Sequence, residues 1–343
     1  MRKRLLLSLI LTACALLSLP FLHKHLRVLT EISHTYSAFY PLLAKHPELV
    51  YKYPDETKPG TPPPKIIHQI ALGNANVAKY QPAIDSCKAL HPEWTFNLWR
   101  NENATDFLAQ HYPDILPHFK GYHQDIQRAN VLRYALLHQF GGVYLDLDIT
   151  CLVALDSTPL YNLPFITPGA HPAGVNNAFI LALPGHAFLN HLLSRVPRHD
   201  IRWGLPMRLP YIENMLSTGC MFFSNMWMAY AENQVSAGRL PDNRVFVLAD
   251  EHGDLAPHML RGIVETPLMA HGGASSWHGW DAAAIVLIGK HYRLVVTMLA
   301  LGITASIVYI LCCCIGARLR RRRSWAKVGG ILGLDASQPK EHS

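Results

Sequence analysis

The sequence contains no Cys-x-x-Cys pair and no zinc-spaced histidine cluster, although it holds 20 histidines. A structural zinc site is therefore not expected. Of its 7 cysteines, Cys14, Cys312, Cys313 and Cys314 lie inside long apolar runs. Cys87, Cys151 and Cys220 remain, which allows one disulfide at most. Charge is sparse at 16% of residues, and the formal net charge of +7 is unevenly placed. Arg2, Lys3 and Arg4 supply three positive charges, and Arg318 with Arg320 to Arg323 supply five. Lys327 and Lys340 cancel Asp335 and Glu341, so without those eight charges the formal +7 falls to about −1 for the central region. The basic balance thus reports flanks typical of membrane segments, and no nucleic-acid partner is implied.

Two apolar runs are present in full. Leu5 to Leu22 follows Met1-Arg2-Lys3-Arg4 and is interrupted near its end by Pro20. No clear small-x-small cleavage site closes it, which favours a retained signal-anchor over a cleaved leader. Leu294 to Gly316 carries no charge over 23 residues and precedes the basic stretch Ala317 to Arg323. That pattern predicts a second membrane helix with a stop-transfer flank. Cys312 to Cys314 near its end suit either palmitoylation or ordinary packing. Both basic flanks would then face the cytosol, with Lys24 to Arg293 on the lumenal side.

The most informative stretch lies between Gly121 and Asp156. Asp125 to Gln139 reads as a largely buried helix, and Phe140-Gly141-Gly142 ends it with a tight reversal. Val143, Leu145, Leu147 and Ile149 then alternate with Tyr144, Asp146 and Asp148, the period-2 pattern of a strand. On that reading both aspartates share one face and can hold one hard divalent cation, Mg²⁺ or Mn²⁺, with coordination sites left for diphosphate oxygens. An Asp-x-Asp alone is a weak signal, since an amphipathic strand shows the same pattern. Its context strengthens it: Asn130 and Arg133 sit on one side of an otherwise apolar helix. A buried arginine requires a partner, either a structural carboxylate or a ligand phosphate.

The stretch NVLRYALLHQFGGVYLDLDI resembles the signature of glycosyltransferase family 32, and the resemblance extends over Pro64 to Asp281. It implies a Rossmann-like domain of the GT-A type, with Asp146 and Asp148 at the metal and donor diphosphate and Arg133 near the donor. Many relatives carry aspartate where this chain has Asn130, a neutral position for donor binding. The resulting organisation is a cytosolic tail over 1–4, a signal-anchor over 5–22 and a stem with a Pro-rich linker over 23–63. A lumenal α/β catalytic domain follows over 64–281, then a membrane helix over 294–316 and a basic cytosolic tail over 317–343.

Further segments fit this frame. PKIIHQI resembles the opening of family 32 domains, which makes His68 and Gln69 donor-site candidates or, equally, structural polar residues at a strand end. Phe96 to Trp99 reads as a strand and Asn103 into His111 as a helix, with Asn103-Ala104-Thr105 a glycosylation sequon. Pro164 to Ile166 and Ala178 to Ala182 read as strands. Asn176 and Asn177 between them suit either a sugar contact or turn chemistry. Leu216 to Tyr230, rich in Met and aromatics, suits core packing or an apolar surface beside a lipid acceptor. The loop His271 to Asp281 resembles the family element that closes over the nucleotide diphosphate and metal. That resemblance assigns Ser275 and Trp277 to donor binding and His271 or His278 to the metal shell.

The resemblance implies GDP-mannose as donor, retention of the sugar's α configuration and Mn²⁺ (or Mg²⁺) as cofactor. No residue announces itself as general base or covalent nucleophile, so front-face and two-step mechanisms both stay open. Paired anchors and the ending SSWHGWD resemble the inositol phosphoceramide branch of the family. That branch implies a membrane sphingolipid acceptor, an accessory membrane subunit and a Golgi location with both termini cytosolic. A protein N-glycan acceptor, or an inactive lectin-like scaffold, are the alternatives.

Overall fold

The computed structural model describes residues 2–55, 61–204, 208–238, 243–273 and 279–291 and most of 294–316; the side chains of 2–17 and 289 lie outside the described set. Two units divide the chain, Met1–Asp281 and Ala282–Ser343. The first opens with α1 (Arg2–Lys45), β1 (Val50–Lys52), β2 (Ile66–Ile70), α2 (Gln81–Leu90) and β3 (Thr95–Trp99). Next come α3 (Asn101–His111), α4 (Leu116–Gly121), α5 (Asp125–Phe140), β4 (Gly142–Leu145) and β5 (Ile149–Cys151). After these follow β6 (Phe165–Pro168), β7 (Phe179–Ala182), α6 (Ala187–His199), α7 (Pro210–Ser217) and α8 (Cys220–Ser236). β8 (Phe246–Ala249), β9 (Ile263–Glu265) and β10 (Met269–Gly272) complete the strands.

Seven strands form one mixed sheet in the order β1-β8-β6-β7-β4-β2-β3, and β5-β10-β9 form a second, smaller sheet. β7 runs antiparallel to β4 and β6, while β2 is parallel to both β3 and β4. This is a mixed α/β fold. The carboxyl ends of β2, β3 and β4 therefore share one edge, where ligands of open α/β sheets bind. One face of the sheet packs Tyr144, Phe165 and Ile180 against α5, α6 and α8. The other packs Val143, Leu145 and Ile166 with residues of α2 and the smaller sheet.

Two expectations are corrected here. Among the described residues no helix is long and apolar enough to cross a membrane, which overturns the fold reading with membrane helices over 5–22 and 294–316. Most side chains of the first run, and several residues of the second, lie outside the described set. α1 continues past the first run to Lys45 despite Pro20 and Pro41, and it buries Val28, Thr35, Phe39 and Leu43. The stretch read as a stem thus supplies core residues and, through β1, an edge strand.

Of the two readings of the Met- and aromatic-rich stretch, core packing holds and the apolar surface does not. In α8, Phe222, Phe223, Met226, Trp227, Met228 and Tyr230 are all buried, because α8 packs against α1, α6 and α7 at once. It is core. The second correction is that Val143 to Ile149 is not one strand. β4 ends at Leu145 with all four residues buried, and Asp146 to Asp148 form a turn into β5 of the other sheet. A strand buried on both faces cannot carry two carboxylates on one of them. The acidic pair sits where the chain leaves the large sheet.

Candidate metal and donor site

Asp146 is placed by its neighbours in space rather than by strand alternation. Its amide donates to the Ala178 carbonyl (2.9 Å), an extension of the β4–β7 pairing. Its Oδ1 accepts the Tyr144 hydroxyl at 2.7 Å and lies 3.3 Å from Arg133 Nη1. Arg133, on α5, is 2% exposed, so its charge has little access to water. The guanidinium donates to the Asn177 carbonyl at 2.6 Å and lies 4.3 Å from the Tyr144 ring centroid. Thus the arginine's partner is one of the two motif carboxylates. Burial raises the Asp146 carboxyl above its ordinary range, while Arg133 and the Tyr144 hydroxyl pull it down.

Asp148 is reached from the other side. β10 pairs antiparallel with β5, setting His271 opposite Ile149, and the Gly272 amide donates to the Asp148 carbonyl at 2.8 Å. A Cβ on Gly272 would lie 3.2 Å from the Asp148 Cβ, so a side chain there would crowd the turn. His271 Nε2 is 3.6 Å from Asp148 Oδ2. Its Nδ1 lies 2.8 Å from the Gly262 carbonyl. A carbonyl only accepts, so Nδ1 carries a proton and Nε2 is the ring nitrogen turned toward Asp148. One ligand atom from each of Asp146, Asp148 and His271 falls within 4.8 Å of the others. Two carboxylate oxygens and an imidazole nitrogen suit a divalent ion such as Mn²⁺. The Gly262 bond is the outer support that metal-ligating histidines commonly have.

The remaining candidates are placed differently. His68 is fully buried, accepts the Trp99 indole N–H at Nδ1 (3.3 Å) and lies 3.1 Å from the Gly141 carbonyl at Nε2. It braces the diglycine turn, where Gly141 has φ +64. Gln69, on the same strand, is buried, and among the described residues its Nε2 has no partner. Asn130 donates to Asn214 and Thr218 and accepts from Asn177, whose amide also donates to the Tyr134 hydroxyl. This neutral network lies behind Arg133. The Asn176 side chain accepts from the Ala178 amide and donates to the Leu260 carbonyl. Ser275, Trp277 and His278 lie outside the described residues.

Sequence reasoning missed the part of the site next to α2. A cavity of about 280 Å³ adjoins the acidic turn, lined by Lys79, Tyr80, Asp148, Thr150 and Gly272 among others. Cys87 and Cys151 form a disulfide, joining α2 to β5, and Ser86 Oγ accepts the Cys151 amide at 3.0 Å. Nothing in the spacing of these residues signals that α2 stands against the acidic turn.

With the acidic turn in place, comparison with known proteins is direct. Residues 78–163 match the family described as the glycosyltransferase sugar-binding region containing the DXD motif. Over those residues the chain is similar to this family. Asp146 and Asp148 both lie within the matched residues. The chain is similar to inositol phosphoceramide mannosyltransferase 3 of Schizosaccharomyces pombe, at 33% identity over 235 residues, covering 67% of this chain and 60% of that protein. It is also similar to mannosyl phosphorylinositol ceramide synthase SUR1 of Saccharomyces cerevisiae, at 31% identity, covering 69% of this chain and 59% of that protein. Inositol phosphoceramide mannosyltransferase 1 of S. pombe matches at 29% identity over 77% of this chain and 76% of its own length. The match thus spans about three fifths of the first of these relatives. Among solved structures, the PaToxG glycosyltransferase overlaps with a TM-score of 0.36 at 13% identity, over 63% of this chain and 83% of that one, too loosely to bear on function.

Proposed function

We propose that the protein transfers mannose from GDP-mannose to inositol phosphoceramide, with Mn²⁺ or Mg²⁺ and with retention of configuration. The observation that carries this reading is the convergence of Asp146, Asp148 and His271 on one point beside buried Arg133. It occurs in a chain similar to proteins named for that transfer. When bound there, a divalent ion supplies Lewis acidity, offsetting the negative charge that grows on a departing diphosphate. The chain's own residues do the rest of the positioning. Asp148 and His271 Nε2 face that point. Arg133 and Tyr144 fix the Asp146 carboxylate, so it need not reorganise during transfer. The membrane sphingolipid acceptor, and an accessory membrane subunit, are supported by the relatives' names and by family resemblance respectively.

We also propose that the domain works in the Golgi lumen. The Cys87–Cys151 disulfide supports an oxidising compartment. Asn103 lies exposed in the first turn of α3, its Oδ1 accepting the Arg100 amide at 2.7 Å. A lumenal domain leaves this sequon open to modification, so endoglycosidase should shift the mobility of the wild type but not of Asn103→Gln. Activity is tested by GDP release from GDP-mannose with and without Mn²⁺, and by lipid profiling of a deletion strain. The expected result is loss of mannosylated inositol phosphoceramide with accumulation of its precursor. Unchanged sphingolipids with shortened N-glycan outer chains would reassign the acceptor.

A further inference from the structure

We propose that the cavity between Asp148 and the start of α2 is a phosphate subsite whose cation is Lys79. This deepens the mannosyltransferase reading and rests on it. Asp148, Thr150 and Gly272 line the cavity together with Lys79, Tyr80 and Pro82. Its volume of about 280 Å³ lies just under the usual range for small-molecule pockets, roughly 300–1,000 Å³. It therefore holds a phosphate with part of its substituent, not a whole nucleotide sugar.

Charge decides what enters. A cavity bordered by Asp148 repels an anion unless cations offset the carboxylates. The metal point at Asp146, Asp148 and His271 offers one such offset, and Lys79, which lines the same cavity, offers a second. Among the described residues no carboxylate forms an ion pair with Lys79. Its ammonium instead lies 5.4 Å from the Tyr80 ring centroid, which holds the charge beside the cavity. A lysine ammonium is a compact charge with three donors, suited to phosphate without demanding a fixed orientation. Lys79 lies in the short 3₁₀ turn Val77–Tyr80. That turn leads directly into α2, which the Cys87–Cys151 disulfide and the Ser86–Cys151 hydrogen bond fasten to β5.

Both substrates of the proposed reaction bring phosphate, the donor as a diphosphate and the acceptor as a phosphodiester. The test uses the full chain with Mn²⁺, comparing wild type, Lys79→Ala and Lys79→Arg. GDP binding is measured directly, with guanosine as the phosphate-free control. Acceptor KM is measured on vesicles carrying inositol phosphoceramide, at saturating GDP-mannose. For a donor phosphate, Lys79→Ala weakens GDP binding about tenfold, Lys79→Arg recovers most of it, and guanosine binding is unchanged. For an acceptor phosphate, GDP binding holds and acceptor KM rises about tenfold in Lys79→Ala. Lys79 is exposed, so a melting curve matching wild type is expected and confirms folding. If neither GDP binding nor acceptor KM moves in a folded Lys79→Ala protein, the subsite is wrong while mannosyl transfer stands. If wild type binds no GDP and transfers no mannose, both fall together.

Discussion

Asp146 and Asp148 are two residues apart but have different tasks. Asp146 neutralises an arginine that is 2% exposed, while Asp148 faces His271 at 3.6 Å. Removing one partner of a fully buried ion pair costs about 3–5 kcal/mol. Asp146 keeps 31% of its side-chain surface, so Asp146→Asn should cost less, about 2 kcal/mol. It should also lose metal binding. Asp148→Asn should lose metal binding and activity with a melting temperature close to wild type. Calorimetric Mn²⁺ titration beside thermal melts separates the two, and Mn²⁺ affinity unchanged in Asp148→Asn would remove the aspartate from the metal shell. Arg133→Lys keeps the charge but loses the planar stack on Tyr144, and activity should fall at least about tenfold. Full activity per folded molecule would make Arg133 purely structural.

At the scale of elements, two buried histidines brace the core, one at a turn and one at a helix start. His68 links β2 to the turn between α5 and β4, and burial lowers its pKa to about 4. His186 caps α6 by accepting the Phe188 amide at Nδ1, and burial lowers its pKa to about 4 as well. Unfolded, each would titrate near 6.5. Between roughly pH 6.5 and 4 the unfolded chain thus binds more protons than the folded one. Stability is full above 6.5 and falls as the pH drops through that window, by on the order of 3 kcal/mol per histidine at its acid end. Protonating His186 would also remove the cap and set a positive charge at a helix N-terminus. Urea midpoints measured across the window should fall with acid, and His68→Gln should flatten the slope. An unchanged slope in a folded His68→Gln protein would show that His68 does not drive the loss.

For the molecule as a whole, the Cys87–Cys151 disulfide closes a segment with a separation of 64 residues that contains α3, α4, α5 and the acidic turn. Loop-closure entropy for a segment of that length corresponds to about 4 kcal/mol. Cys87→Ser with Cys151→Ser should therefore lower the melting temperature. Since the same bridge fastens α2 to β5, Mn²⁺ affinity should weaken beyond what lost stability explains. Measuring that affinity well below the melting transition decides whether the bridge positions the site or only stabilises the fold.

Local pattern alone determined much of this protein. The apolar run with its diglycine stop defined α5 and the turn after it, β2, β3, β6 and β7 fell where alternation or apolar runs placed them, and the acidic pair was legible from its setting. These signals depend on residues close in the chain, whose spacing fixes which side of an element they occupy. Tertiary structure decided what no spacing encodes. It set Asp146 against Arg133, brought His271 to Asp148 across a second sheet, and closed Cys87 onto Cys151 rather than Cys220. It also turned the aromatic stretch of α8 into core by packing three helices around it. The acidic strand was misread for the same reason. Alternation predicts one amphipathic strand, but burial on both faces of β4 excludes charge, so the aspartates had to fall in the turn where the chain changes sheets.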